Sequence, residues 1–116
     1  MCQYQLTKCK LHRLRLLRSR TFHELRSLRS VVAASNRLTK VESYAFNSLP
    51  SLATVILTHN SVDRVEKFAF SNLDILQKVE LQHNRLRLFS LDAFVNCTRA
   101  PAFPMALNVS HNNIRR

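Results

Sequence analysis

Phenylalanine recurs at positions 22, 46, 70 and 94, each 24 residues after the last. Leu25, Leu49 and Leu73 keep step with it, and Cys97 takes the fourth place. Asparagine stands at 36, 60, 84 and 112, with two gaps of 24 and a third of 28. Two ladders of one period mean that the chain repeats one unit. A unit this small cannot bury its own apolar face, so the copies have to stack.

Aligned on the asparagine, one copy reads Leu28, Val31, Ala33, Asn36, Leu38, Val41, Phe46 and Leu49. The next reads Leu52, Val55, Leu57, Asn60, Val62, Val65, Phe70 and Leu73, and the third Leu76, Val79, Leu81, Asn84, Leu86, Phe89, Phe94 and Cys97. A fourth is shorter, with Leu107, Val109, Asn112 and Ile114. A degenerate first copy runs Cys9, His12, Leu14, Leu17, Phe22 and Leu25. The consensus LxxLxLxxNxL inside a period of about 20–29 residues is that of a leucine-rich repeat. The expected fold is a leucine-rich repeat solenoid. Short parallel strands form its concave face, and irregular, 3-10 or short helical segments form its convex face. Four to five strands are expected in one sheet, centred near Cys9, Val32, Ile56, Glu80 and Asn108. Each strand alternates inward and outward side chains. Asn36, Asn60, Asn84 and Asn112 are assigned to the bend after each strand, where an amide can donate and accept at once. Phe22, Phe46, Phe70 and Phe94 are assigned to one buried row on the far side. A rival reading makes 11–32 a basic amphipathic helix, but then the placement of Phe22 on the ladder would be a coincidence.

The chain resembles the leucine-rich repeat ectodomains of animals, among them Slit-like, small-proteoglycan-like, Toll-like and AMIGO-like proteins. Ala45-Phe46, Ala69-Phe70 and Ala93-Phe94 match the alanine–phenylalanine pair of that extracellular subtype. Cys2 and Cys9, with Leu14 and Leu17 following, resemble the end of its cysteine-rich N-terminal cap. The family's cap has four cysteines and only the last two positions match here. The alternative is that Cys9 is a small core residue and Cys2 a surface thiol. The resemblance implies one domain over 1–116, with a cap remnant at 1–11. Its repeats fall at about 4–27, 28–51, 52–75, 76–103 and an incomplete 104–116. Pro101 and Pro104 fall in the four-residue insertion, where an irregular loop is expected. The unmatched last copy and partial cap make the chain read as a piece of a larger protein that would associate or aggregate alone. The resemblance places that protein outside the cell or on its surface. Two glycosylation sequons agree, Asn96-Cys97-Thr98 and Asn108-Val109-Ser110. Asn96 is expected in a loop and Asn108 on the sheet.

Hydrophobic residues make up 46% of the chain, enough for a core, so it is not read as disordered. No apolar run approaches the roughly 18 residues of a membrane span, and the first residues carry no signal-peptide pattern. No P-loop, GxSxG or HExxH motif is present, and the seven acids form no obvious pair. The reading is therefore non-enzymatic, with no cofactor. His59, His83 and His111 should stack in one column. A metal would need further ligands, so no metal site is assigned. Cys97, in a leucine column, is read as an inert buried thiol.

Two binding surfaces remain open. The concave sheet presents Val32, Ala34, Thr54, Ile56, Thr58, Lys78, Glu80 and Gln82, a small and weakly charged face suited to a protein ligand or receptor partner. The formal charge is +11, concentrated early in Lys8, Lys10, Arg13, Arg15, Arg18 and Arg37. Such a field attracts polyanions, sulfated glycans ahead of nucleic acid, since no aromatics are interleaved for base stacking. Arg13, Arg37 and Arg85 each follow a turn marker and belong on one rim, interrupted by Ser61.

Overall fold

In a computed structural model, residues 8–10, 13–19, 21–22, 25–97 and 106–114 are described, Lys8 and Lys10 by their backbone. Cys2, Pro101 and Pro104 lie outside these residues, as do the side chains of Lys8 and Lys10. The turns of the chain stack as a solenoid of parallel strands. The first sheet is formed by β1 (Lys8–Lys10), β3 (Ser30–Val32), β6 (Thr54–Ile56), β9 (Lys78–Glu80) and β11 (Ala106–Asn108), in that spatial order. All five are parallel, with Cys9, Val31, Val55, Val79 and Leu107 in register. These are the inward residues. Val31, Val55 and Val79 are fully buried, while their strand neighbours Ser30, Val32, Thr54 and Ile56 are half-buried. No helix occurs among the described residues of 11–32, which hold strand and turn.

The far side is more regular than the sequence suggests. Among the described residues one 3-10 turn is present, Leu91–Ala93. Turns connect two narrow parallel sheets. One joins β2 (Leu16–Leu17), β4 (Lys40–Val41) and β7 (Arg64–Val65), and the other joins β5 (Phe46–Asn47), β8 (Phe70–Leu73) and β10 (Phe94–Cys97). Turns of equal length bring the same backbone groups of successive copies opposite each other, about 4.8 Å apart, where they pair. Thr39 N donates to Arg15 O (2.8 Å) and Asp63 N to Thr39 O (3.0 Å) in one such ladder.

Each full turn therefore bends at three corners. Left-handed residues mark them, except where the 3-10 turn Leu91–Ala93 takes the second corner, though the chain has no glycine. Ser35, His59, His83 and His111 follow the first sheet, with φ of 54–61°. Tyr44 and Phe68 mark the second corner, and Ser48, Asn72 and Asn96 the third. Such a φ costs a non-glycine residue on the order of 1–2 kcal/mol. Inter-turn hydrogen bonds offset it: Ser35 N donates to Thr58 O (3.0 Å), Tyr44 N to Phe68 O (2.9 Å) and Ser48 N to Ser71 O (3.0 Å).

The core lies between the three sheets. Leu28, Leu38, Leu49, Leu52, Leu57, Leu73, Leu81 and Leu86 have no exposed surface. The four phenylalanines stack face to face, with centroids 5.0 Å apart for Phe22–Phe46, 5.1 Å for Phe46–Phe70 and 4.9 Å for Phe70–Phe94. Phe46 and Phe70 are fully buried, and Phe94 in the last stacked position is half-buried.

Candidate functional site

The asparagine column fixes the edge where the first sheet ends. Asn60 Nδ2 donates to Ala33 O (2.9 Å) of the preceding turn and to Leu57 O (3.1 Å) of its own. Its Oδ1 accepts from Leu38 N (3.1 Å) of the preceding turn. Asn84 repeats this with Leu57 O (2.9 Å), Leu81 O (3.0 Å) and Val62 N (3.0 Å). Asn112 repeats it with Leu81 O (2.9 Å), Val109 O (2.9 Å) and Leu86 N (3.0 Å). Asn36 donates to Ala33 O (3.0 Å) and accepts from Leu14 N (3.3 Å). Each amide sits at the bend and ties two turns together, so the strands before it are held in one plane.

On that plane Val32, Ala34, Thr54, Ile56, Thr58, Glu80 and Gln82 are half-buried and Lys78 is exposed. Lys78 Nζ lies 3.1 Å from Glu80 Oε1, so the only two charges of the eight neutralise each other. Across these eight residues the result is a face without net charge, built of short, branched and amide side chains around one ion pair.

Past the bend the surface changes character. Arg13, Arg15, Arg18 and Arg37 are all exposed. Three of them, Arg13, Arg15 and Arg37, line a recess of ≈ 350 Å³ with Ser35 and Asn36, and Arg18 is not among its residues. Further along the same edge, Arg64, Arg85 and Arg87 line a second recess of ≈ 500 Å³ with Asp63 and Asn113. Charge density along the chain points to the N-terminal turns alone. Stacking brings Arg85 into line with Arg13 and Arg37, and Arg87 with Arg15, because they occupy matching positions of their turns, while Arg64 continues the column of Lys40.

The three histidines stand one residue before the asparagines. His59 and His83 stack at 4.4 Å, as do His83 and His111. No group of three or more histidine, cysteine or acidic residues among those described is placed to hold a metal ion. The stack has an electrostatic consequence. The His83 pKa is lowered from its usual 6.5, first by loss of water between its neighbours, then by repulsion from His111 and His59. A folded-state pKa below the unfolded one means that stability is complete above about pH 6.5 and is lost as pH falls through the folded value. Urea midpoints are expected to drop between pH 7 and pH 5, and His83→Asn, which suits the left-handed backbone, to flatten that slope. An unchanged slope would show that the stack does not couple to folding. The Glu66 carboxyl is also lowered, chiefly by its hydrogen bond to Lys40, but it acts below its usual 4.5 and so in a separate range.

Asn96 is not in a loop. It stands in β10, exposed and left-handed, with Nδ2 donating to Asn72 Oδ1 (3.1 Å). Pairing of β10 with β8 across the third corner makes this a strand, and its left-handed φ coincides with an outward side chain. Asn108 is exposed on β11 and its Oδ1 accepts from Ser110 N (3.0 Å). Cys97 is half-buried, and burial pushes its thiol pKa up, which keeps it protonated. Cys9 is buried on β1.

A family model described as Leucine rich repeat matches residues 26–86 and, in a second overlapping placement, 50–99. No significant match was found among curated proteins or among solved structures. No helix among the described residues is long and apolar enough to cross a membrane. Repeats that stack into a curved parallel sheet are protein-interaction folds. The matched span holds the buried leucine columns of three turns and the asparagines Asn36, Asn60 and Asn84, and the chain belongs to the leucine-rich repeat family.

Proposed function

We propose that this chain is a single non-enzymatic binding domain of a secreted or cell-surface protein, and that it takes a protein ligand on the five-stranded sheet. One observation carries the reading: the sheet pairs Val32 with Ile56 and Ser30 with Thr54 in register at its middle, and beside them the one charged pair of β9, Lys78 and Glu80, is internally neutralised. Such a face gives a partner apolar contact without desolvating a lone charge. Ile56 is at the centre, on the third of five strands.

The extracellular setting is supported by the alanine–phenylalanine signature, the two sequons and the resemblance of Cys2 and Cys9 to the end of a cysteine-rich cap. Asn96 is the better glycan acceptor, because it projects from the third corner, away from the proposed binding face. Glycosylation at Asn108 would instead obstruct that face.

The test is a screen of receptor ectodomains against the full chain and its Ile56→Arg variant. Binding of a partner is expected to fall by about a hundredfold in the variant, as for a central interface residue worth at least about 2–3 kcal/mol. Circular dichroism should show an unchanged fold. Partners that bind both chains equally would overturn the concave-face reading.

A further inference from the structure

The arginine-lined edge is chemically unlike the concave face. Six arginines, Arg13, Arg15, Arg37, Arg64, Arg85 and Arg87, share it, all exposed. Among the described residues none of them is in an ion pair, whereas Lys40 and Lys78 are held by Glu66 and Glu80. Among the described residues the first recess contains no acid and the second only Asp63. Without a ligand, such an array is a repulsive cluster whose field is focused at the recesses.

We infer that this edge binds a linear sulfated polysaccharide laid across the turns, one recess at each end of the contact. The turns repeat at about 4.8 Å, so the span from the turn of Arg13 to that of Asn113 is about 19 Å. The ligand must therefore be a chain carrying anionic groups at short intervals. Guanidinium forks pair with sulfate and carboxylate oxygens through two parallel hydrogen bonds. Ser35 and Asn113 add neutral polar groups suited to hydroxyls. Among the described residues neither recess is lined by an aromatic side chain, which leaves no platform there on which a nucleic-acid base would stack. Ser61 interrupts the column of Arg37 and Arg85, so the two clusters meet on adjacent turns with a break in that column between them. A short sugar can fill one cluster, and only a longer one can bridge both and gain the second as an intramolecular contact. The site lies beyond the asparagine bend and is separate from the concave sheet, so it stands or falls independently of the protein ligand.

The experiment uses the full chain and heparin-derived disaccharide and hexasaccharide, titrated calorimetrically at several salt concentrations. The hexasaccharide is expected to bind at least about tenfold tighter than the disaccharide. In Arg37→Ser/Arg85→Ser, serine being the residue that column already accepts at 61, hexasaccharide affinity should fall about tenfold or more. The slope of log affinity against log salt should become shallower by about one for each arginine replaced. Arg26→Ser/Arg29→Ser removes the same charge before β3, at the opposite ends of the strands, and should change affinity less than about twofold. An equal drop in the two double variants would overturn the proposal, since overall charge would then explain binding. So would a single-stranded oligonucleotide binding as tightly as the hexasaccharide, or no binding at low salt.

Discussion

Replacing Phe70 with alanine is expected to lower the stability of the chain by about 3–5 kcal/mol. Phe70 has no exposed surface and stacks on Phe46 at 5.1 Å and on Phe94 at 4.9 Å. Truncation removes both ring stackings and leaves a cavity inside the phenylalanine column. The surroundings cannot close it, because Phe46 and Phe94 belong to turns whose backbones are fixed to β8 on either side. Phe94→Ala should cost less, since that ring is already half-buried and has Phe70 as its stacked neighbour on one side. Urea denaturation of the two variants against the unaltered chain gives the comparison. A decrease for Phe70→Ala below about 1 kcal/mol, or one smaller than for Phe94→Ala, would contradict a continuous buried column.

Asn60→Ala is expected to cost about 2–3 kcal/mol although it removes little volume. The carbonyls it serves have second donors: Ala33 O also accepts from Asn36 Nδ2 (3.0 Å), and Leu57 O from Asn84 Nδ2 (2.9 Å). The amide of Leu38 does not have that insurance, and is deprived of the buried Oδ1 it donates to at 3.1 Å. The larger part of the cost is this orphaned donor. The equivalent change at Asn36, whose amide is less buried and whose hydrogen bond from Leu14 N is longer at 3.3 Å, should cost less. Thermal melts of the two variants order them. Equal or negligible destabilisation would show that the column does not secure the turns.

The sequence alone determines the period and, through it, the fold. Phenylalanine and asparagine ladders 24 residues apart admit one economical solution, stacked turns, and the inward residues follow from the alternation around Val31, Val55 and Val79. Those signals are legible because burial acts on side-chain type, and type is what a sequence records. Backbone geometry is another matter. Ten described residues are left-handed in a chain without a single glycine, and nothing in Ser35, His59, Tyr44 or Phe68 announces it. Hydrogen bonds from the neighbouring turn hold them there, and those exist only once the turns have stacked. The two sheets of the far side have the same origin. The stack also decided which arginines act together. By sequence the early run from Lys8 to Arg18 dominates the charge, yet Arg18 falls outside the first recess and Arg64, Arg85 and Arg87 line the second. A solenoid places side chains side by side when they hold matching positions in successive turns, so tertiary structure turns residues far apart in sequence into one edge.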